Sequence, residues 1–135
     1  MKLIDKNTFN CLYEEALSSE RKRAHYLLHK SHADKVQRLL IAMVQNSFVE
    51  PHYHELATQW EMFLVIEGCI KVCLYDLDGN VIDSFVAGPE MDQSIVEFLP
   101  GDIHSVECIT SKAMMLEVKE GPFHPETAKV SLSTS

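Results

Sequence analysis

With 135 residues, 46% of them hydrophobic, the chain has enough apolar side chains for one domain with a real core and too few residues for two. A formal charge of −8 repels phosphate backbones, and no basic stripe interleaved with aromatics offsets it, so nucleic acid is not an expected partner. No apolar run can span a bilayer and no secretion-signal layout opens the chain, so the expectation is a cytoplasmic protein with no membrane partner.

Apolar residues at Ile4, Phe9, Leu12 and Leu17, with Asp5 or Asn7 as cap, predict an amphipathic helix over about 5–19. The basic cluster Arg21-Lys22-Arg23 reads first as a solvated stretch and only second as a site for a small anion. From residue 24 the texture changes to short apolar runs at 24–29, 36–44, 62–66, 70–75, 81–86, 94–99, 106–109 and 114–118, the pattern of a sandwich or barrel over about 24–118. The run 36–44 suits a buried helical turn as well as a strand; its neighbours favour strand. Residues 76–80 carry a hairpin signal, because Gly79 and Asn80 tolerate positive φ. The segment 122–135, with Pro122 and Pro125, predicts an extended, fraying tail. The four cysteines read as reduced, mostly buried thiols. Cys69 and Cys73, if on one strand, stand roughly 13 Å apart and cannot share a metal.

The chemistry concentrates in two segments. On a strand, His52 and His54 aim both imidazoles to one side while Tyr53 faces away. Glu61 opens the apolar run before Gly68, where a buried carboxylate costs several kcal/mol unless a cation compensates it. His104 follows the Pro100-Gly101 turn and can bring a third imidazole from a distant part of the chain. Taken singly, each histidine is most simply a surface or core residue; taken jointly, three imidazoles and a carboxylate suit one divalent Fe, Mn, Ni, Cu or Zn ion with positions left open for water, substrate or dioxygen.

Around this group, Arg23, His25 and His29 are candidate pocket residues, weighed evenly against a half-exposed strand. Tyr53 and Trp60 flank the ligands as wall or packing residues, and Cys108 shares parity with His104 as a buried, inert thiol. His32, His124 and Glu55 read as solvated. The absence of a nucleophile elbow, Walker loop or dinucleotide fingerprint speaks against those chemistries.

The pattern His52-x-His54, Glu61, six residues, Gly68, then Pro100-Gly101-x-x-His104 resembles the two motifs of the cupin superfamily, which implies a double-stranded β-helix jelly roll. More narrowly, Arg21 to His29, the run 36–40, Pro51 to His54, Trp60-Glu61 and Glu117 to Pro122 resemble the WbuC family of cupin-fold metalloproteins over nearly the whole chain. That resemblance implies His52, His54, Glu61 and His104 as metal ligands and a setting in bacterial O-antigen or other surface-polysaccharide synthesis; it brings no reaction with it. In one respect the chain departs from the superfamily motif: six residues separate His54 from Glu61, and a shorter gap would make Gln59 the fourth ligand.

The resulting expectation is an all-β metal-binding cupin with an N-terminal helix, taking a small molecule such as a sugar or sugar nucleotide. An Fe(II) dioxygenase and a non-catalytic small-molecule-binding or structural metalloprotein are the alternatives. Pairing of exposed edge strands would make it a homodimer.

Overall fold

The computed structural model describes residues 1–132; the last three positions of the expected tail lie outside them. One helix, α1 (Lys6–Ser18), precedes the strands β1 (Arg23–Leu27), β2 (Val36–Val44), β3 (Phe48–Tyr53), β4 (Glu61–Glu67), β5 (Ile70–Tyr75), β6 (Val81–Ala87), β7 (Ile95–Phe98), β8 (Ile103–Cys108), β9 (Lys112–Glu120) and β10 (Val130–Ser131). They form two five-stranded antiparallel sheets, ordered β1-β2-β9-β4-β7 and β10-β3-β8-β5-β6. This is a jelly roll. The ambiguous run 36–44 is a strand, since β9 pairs with it from Val36 to Val44.

Two-residue periodicity divides the first sheet between two cores. Leu39, Ile41 and Met43 of β2, Phe63 and Val65 of β4, Met115 of β9 and Val96 and Phe98 of β7 point between the sheets, where β5 and β8 meet them with Ile70, Val72 and Val106. The alternate residues Leu40, Ala42, Val44 and Met114 face outward and are covered by Leu12, Tyr13 and Ala16 of α1. Asp5 is the helix cap, accepting the Thr8 N–H at 3.0 Å. Leu17 departs from the expected apolar stripe: it is 70% exposed, because the buried face runs through Leu12, Tyr13 and Ala16.

The hairpin at 76–80 forms as its sequence predicts. Asp76 Oδ1 accepts the N–H groups of Asp78 and Asn80, and Gly79 takes φ +87°. Gly68 needs its glycine for two reasons: φ is +72°, and a Cβ there would collide with the carbonyl oxygen of Lys112 where β9 begins. The cysteines are free, but only Cys69 and Cys108 are buried. Cys73 faces outward on β5, in antiphase with Ile70 and Val72, and Cys11 is exposed on α1.

The tail differs most from expectation. Residues 122–132 do not simply extend: Pro125–Thr127 form a 3₁₀ turn, and β10 pairs with the end of β3, Val130 opposite Tyr53 and Ser131 opposite His52. Backbone hydrogen bonds to a sheet edge overcome the sparse apolar content of the segment.

Candidate metal centre

Both sheets contribute to the site. His52 lies on β3, His54 one residue past its end, Glu61 at the first position of β4 and His104 at the second position of β8. His52 and His104 are direct partners across β3 and β8. The pairing shifts register between Val49 and His52, so the strand beside Pro51 is irregular and the simple parity expected for the His52–His54 pair is only its starting point. The Pro100-Gly101 turn is tied directly to the histidine segment, because Gly101, at φ +89°, donates its N–H to the His54 carbonyl at 2.8 Å.

One ligand atom from each of His52, His54, Glu61 and His104 lies within 4.8 Å of the others. Each imidazole is oriented from behind: His52 Nδ1 bonds the Glu50 carbonyl at 2.8 Å, His54 Nδ1 that of Ala128 at 2.7 Å, and His104 Nδ1 that of Asp102 at 2.8 Å. A carbonyl only accepts, so each Nδ1 carries the hydrogen and each Nε2 keeps a lone pair. Phe98 stacks on His104 with ring centroids 3.7 Å apart, fixing the plane of that ring.

Glu61 Oε1 stands 3.0 Å from His104 Nε2 and 3.1 Å from His54 Nε2, and the buried Nε2 of His54 makes no well-formed hydrogen bond. Acceptors facing an acceptor at that range need a proton or a metal ion between them. The set of three imidazole nitrogens and one carboxylate oxygen fits a divalent first-row ion. Gln59 stays apart from this group: its amide serves Leu56 N–H and the Thr127 carbonyl instead.

The same conflict shapes the proton affinities of the metal-free site. Burial pushes His52 down to about 4. Burial also works against the charged form of His54, but the hydrogen bond and charge of Glu61 outweigh it and raise this imidazole above its ordinary value. Burial alone would raise Glu61; His104, His54 and the neighbouring Glu117 carboxyl overcome it and hold Glu61 well below the carboxylate range. Glu117 goes the other way, raised by burial and then by the charge of Glu61. Lys119 lies 3.9 Å from Glu117, too far and too hydrated to reverse that. The site thus holds an ionised and a neutral carboxyl side by side, an arrangement suited to proton delivery.

These four residues open onto a cavity of about 630 Å³ with Leu39, Ile41 and Phe63 in its apolar wall. Arg23, His25 and His29 line it as expected candidates, although His29 is otherwise committed: its Nδ1 accepts the Arg38 N–H at 2.9 Å while the Arg38 carbonyl serves Leu28, so this buried ring extends the β1–β2 pairing. Tyr53 does not line this cavity among the described residues and stands across from Val130. Gln59 and Trp60 line an adjoining recess of about 150 Å³ under the tail, which His54 and Glu61 also border. His32, expected to be solvated, is exposed yet lines the main cavity against Phe123. Glu117 and Lys119 also line that cavity and were not expected there, and Arg21, read first as solvated and second as an anion site, lines it too. The signal for the first two was present: Glu117 and Lys119 keep step with the buried Ala113 and Met115 on β9.

No curated protein matches the sequence. The family model described as "Domain of unknown function (DUF6016)" matches residues 4–87. Among solved structures, the chain is similar to a cupin superfamily protein from Desulfitobacterium hafniense, with TM-score 0.56 and 16% identity over 73% of this chain and 76% of that one. It is similar to the capsular polysaccharide assembling protein CapF from Staphylococcus aureus, with TM-score 0.71 and 17% identity over 86% of this chain and 33% of CapF. It is also similar to Bacillus subtilis oxalate decarboxylase, a protein with Mn(II) centres, with TM-score 0.59 and 17% identity over 82% of this chain and 28% of that one. The chain spans about a third of CapF and less of the decarboxylase. At such identities the likeness establishes the fold, a cupin-type jelly roll.

Proposed function

This chain belongs to the family described as a domain of unknown function (DUF6016), whose model spans α1 to β6 and three of the four clustered residues, and we propose that it is a divalent-metal cupin acting on a sugar or sugar-nucleotide intermediate of bacterial surface-polysaccharide synthesis. One observation carries the metal: three imidazoles whose Nδ1 hydrogens are tied to carbonyls turn their remaining nitrogens toward a buried carboxylate. The carbohydrate rests on the resemblance to the WbuC family and on CapF as a fold relative.

A divalent ion bound by His52, His54, Glu61 and His104 supplies Lewis acidity toward a carbonyl or hydroxyl. The chain's own residues do the rest. Phe98 and the three carbonyls orient the imidazoles, Leu39, Ile41 and Phe63 exclude water from one wall, and Glu117 holds a proton beside the substrate space. Pairing into a homodimer through edge strands belongs to this proposal.

Metal analysis of protein purified without added metal tests it. Wild type should carry close to one first-row ion per chain, and His52→Ala and His104→Ala should each lose most of it. Equally low metal in all three sinks the reading. Chelator-sensitive consumption of a nucleotide-sugar pool then tests the substrate class.

A further inference from the structure

The chain is acidic, yet its cavity is not. Of 12 Lys and Arg residues in the sequence, four (Arg21, Arg23, Lys119 and Lys129) line the cavity, whereas of 20 Asp and Glu only Glu61 and Glu117 do. A third of the cations and a tenth of the acids thus share one concave surface. Glu61 is turned into the histidine group, and Glu117, buried at 6% exposure, lies 3.9 Å from Lys119; at the rim, Arg21, Arg23 and Lys129 also line a neighbouring recess with Glu20 and Glu50, yet none of the three forms an ion pair among the described residues.

Strand parity explains the placement. Ala24 of β1 faces α1, so Arg23, His25 and Leu27 face the cavity. Arg23 is half-buried and spends one N–H on the Phe48 carbonyl at 3.1 Å, which braces the guanidinium across from β1 to the start of β3 and leaves its other donors free. Arg21 and Lys129 are exposed beside it, and Lys119 is the strand partner of Glu61, so the positive lining runs from the open rim to the edge of the histidine group. A weakly hydrated, pre-positioned guanidinium in a concave site binds an oxyanion far better than a free surface lysine does. The concentration of field in a low-dielectric cleft adds to this.

We propose that the cavity takes a small organic anion, its phosphate or carboxylate held by Arg23 and Arg21 at the mouth and its hydroxylated body directed toward His52, His54, Glu61 and His104. The identity of that body rests on the metal-and-sugar reading above; the anionic group does not. A cavity of about 630 Å³ suits a ligand of this size.

Calorimetric titration of Mn(II)-loaded protein with glucose 1-phosphate, glucuronate and glucose tests this, with the metal content of every sample measured in parallel. At least one of the two anions should bind at concentrations where glucose does not. A response to the phosphate alone, or to the carboxylate alone, identifies which acid group is taken. Arg23→Ala and Arg21→Ala should each weaken that binding about tenfold or more, while Lys71→Ala, on the outer face of β5, leaves it unchanged. Thermal unfolding of the variants verifies that they fold; Arg21, being exposed, keeps the test valid if Arg23→Ala does not. Protein that holds Mn(II) but binds neither anion better than glucose, or binds them equally well without both arginines, overturns the inference and leaves the metal reading standing. Protein that takes up no Mn(II) yet binds an anion through Arg23 upholds the inference and confines the failure to the choice of metal, which the metal analysis above tests separately.

Discussion

His54 is the residue on which the unmet demand of the site falls. Its Nδ1 hydrogen is committed to Ala128, and its Nε2 faces a carboxylate that offers nothing to share, so in the metal-free protein the Glu61 charge draws a proton onto that nitrogen. The sign follows from this. A raised imidazole contributes stability that is fully present below its unfolded value near 6.5 and is lost as pH rises through its folded value. A metal must displace the same proton, so metal affinity rises with pH across that window. His52, pushed down to about 4, is already neutral there and releases none. Titrating metal into apo-protein at pH 6.5, in buffers of different ionisation enthalpy, should therefore show release of more than half a proton from His54; a buffer-independent heat would show that the proton is not there.

The elements that present the ligands are held at their ends. β3 is joined to the turn before β8 by the Gly101 N–H, and it is joined on its other edge to β10, whose approach carries the Ala128 carbonyl over His54. The tail is thus a supporting element of the ligand set. Cutting the chain after Gly121 removes that carbonyl, frees the tautomer of His54 and unpairs the edge of β3. Metal affinity should fall about 10- to 100-fold, in line with the loss of other groups that orient metal-bound histidines, while the two-sheet core keeps its strand content by circular dichroism. Unchanged affinity in the truncated chain would mean that β3 holds His54 unaided.

Across the molecule, the four residues join the two sheets: Glu61 belongs to the sheet covered by α1, His52 and His104 to the other. An ion bound by this group would therefore act as a clamp between layers, stabilising the folded state by mass action. At a free concentration about a thousandfold above its dissociation constant this would amount to about 4 kcal/mol, or roughly 15 °C in Tm for a chain of this size. Excess chelator should lower the melting temperature of the wild type by that order and leave Glu61→Gln, which has lost the cross-sheet ligand, much less affected. Equal shifts in both would place the stabilisation elsewhere.

Much of this was readable in the chain as written. Alternation of period two marks β4, short apolar runs mark other strands, the 76–80 turn carries its own Asx and glycine chemistry, and Gly68 and Gly101 stand where positive φ is required, because each of these depends on residues near in sequence. The four-residue group was legible as well, since His52, His54 and His104 flank strand ends and turns that only a few backbone geometries can join. What depended on long-range pairing was not legible. Glu61 was already favoured over Gln59 by its six-residue spacing to Gly68, but the strand start that carries it into the group, with β4 opening at Glu61 in register with Phe98 and Lys119, is set by no local signal. The tail lies over His54 because an unpaired edge of β3 was available to it, and Glu117 and Arg23 meet in one cavity because β9 and β1 both flank β2. Local sequence encodes which residues can turn, alternate and ligate; which of them meet depends on strand order and register, energies shared between segments far apart in the chain.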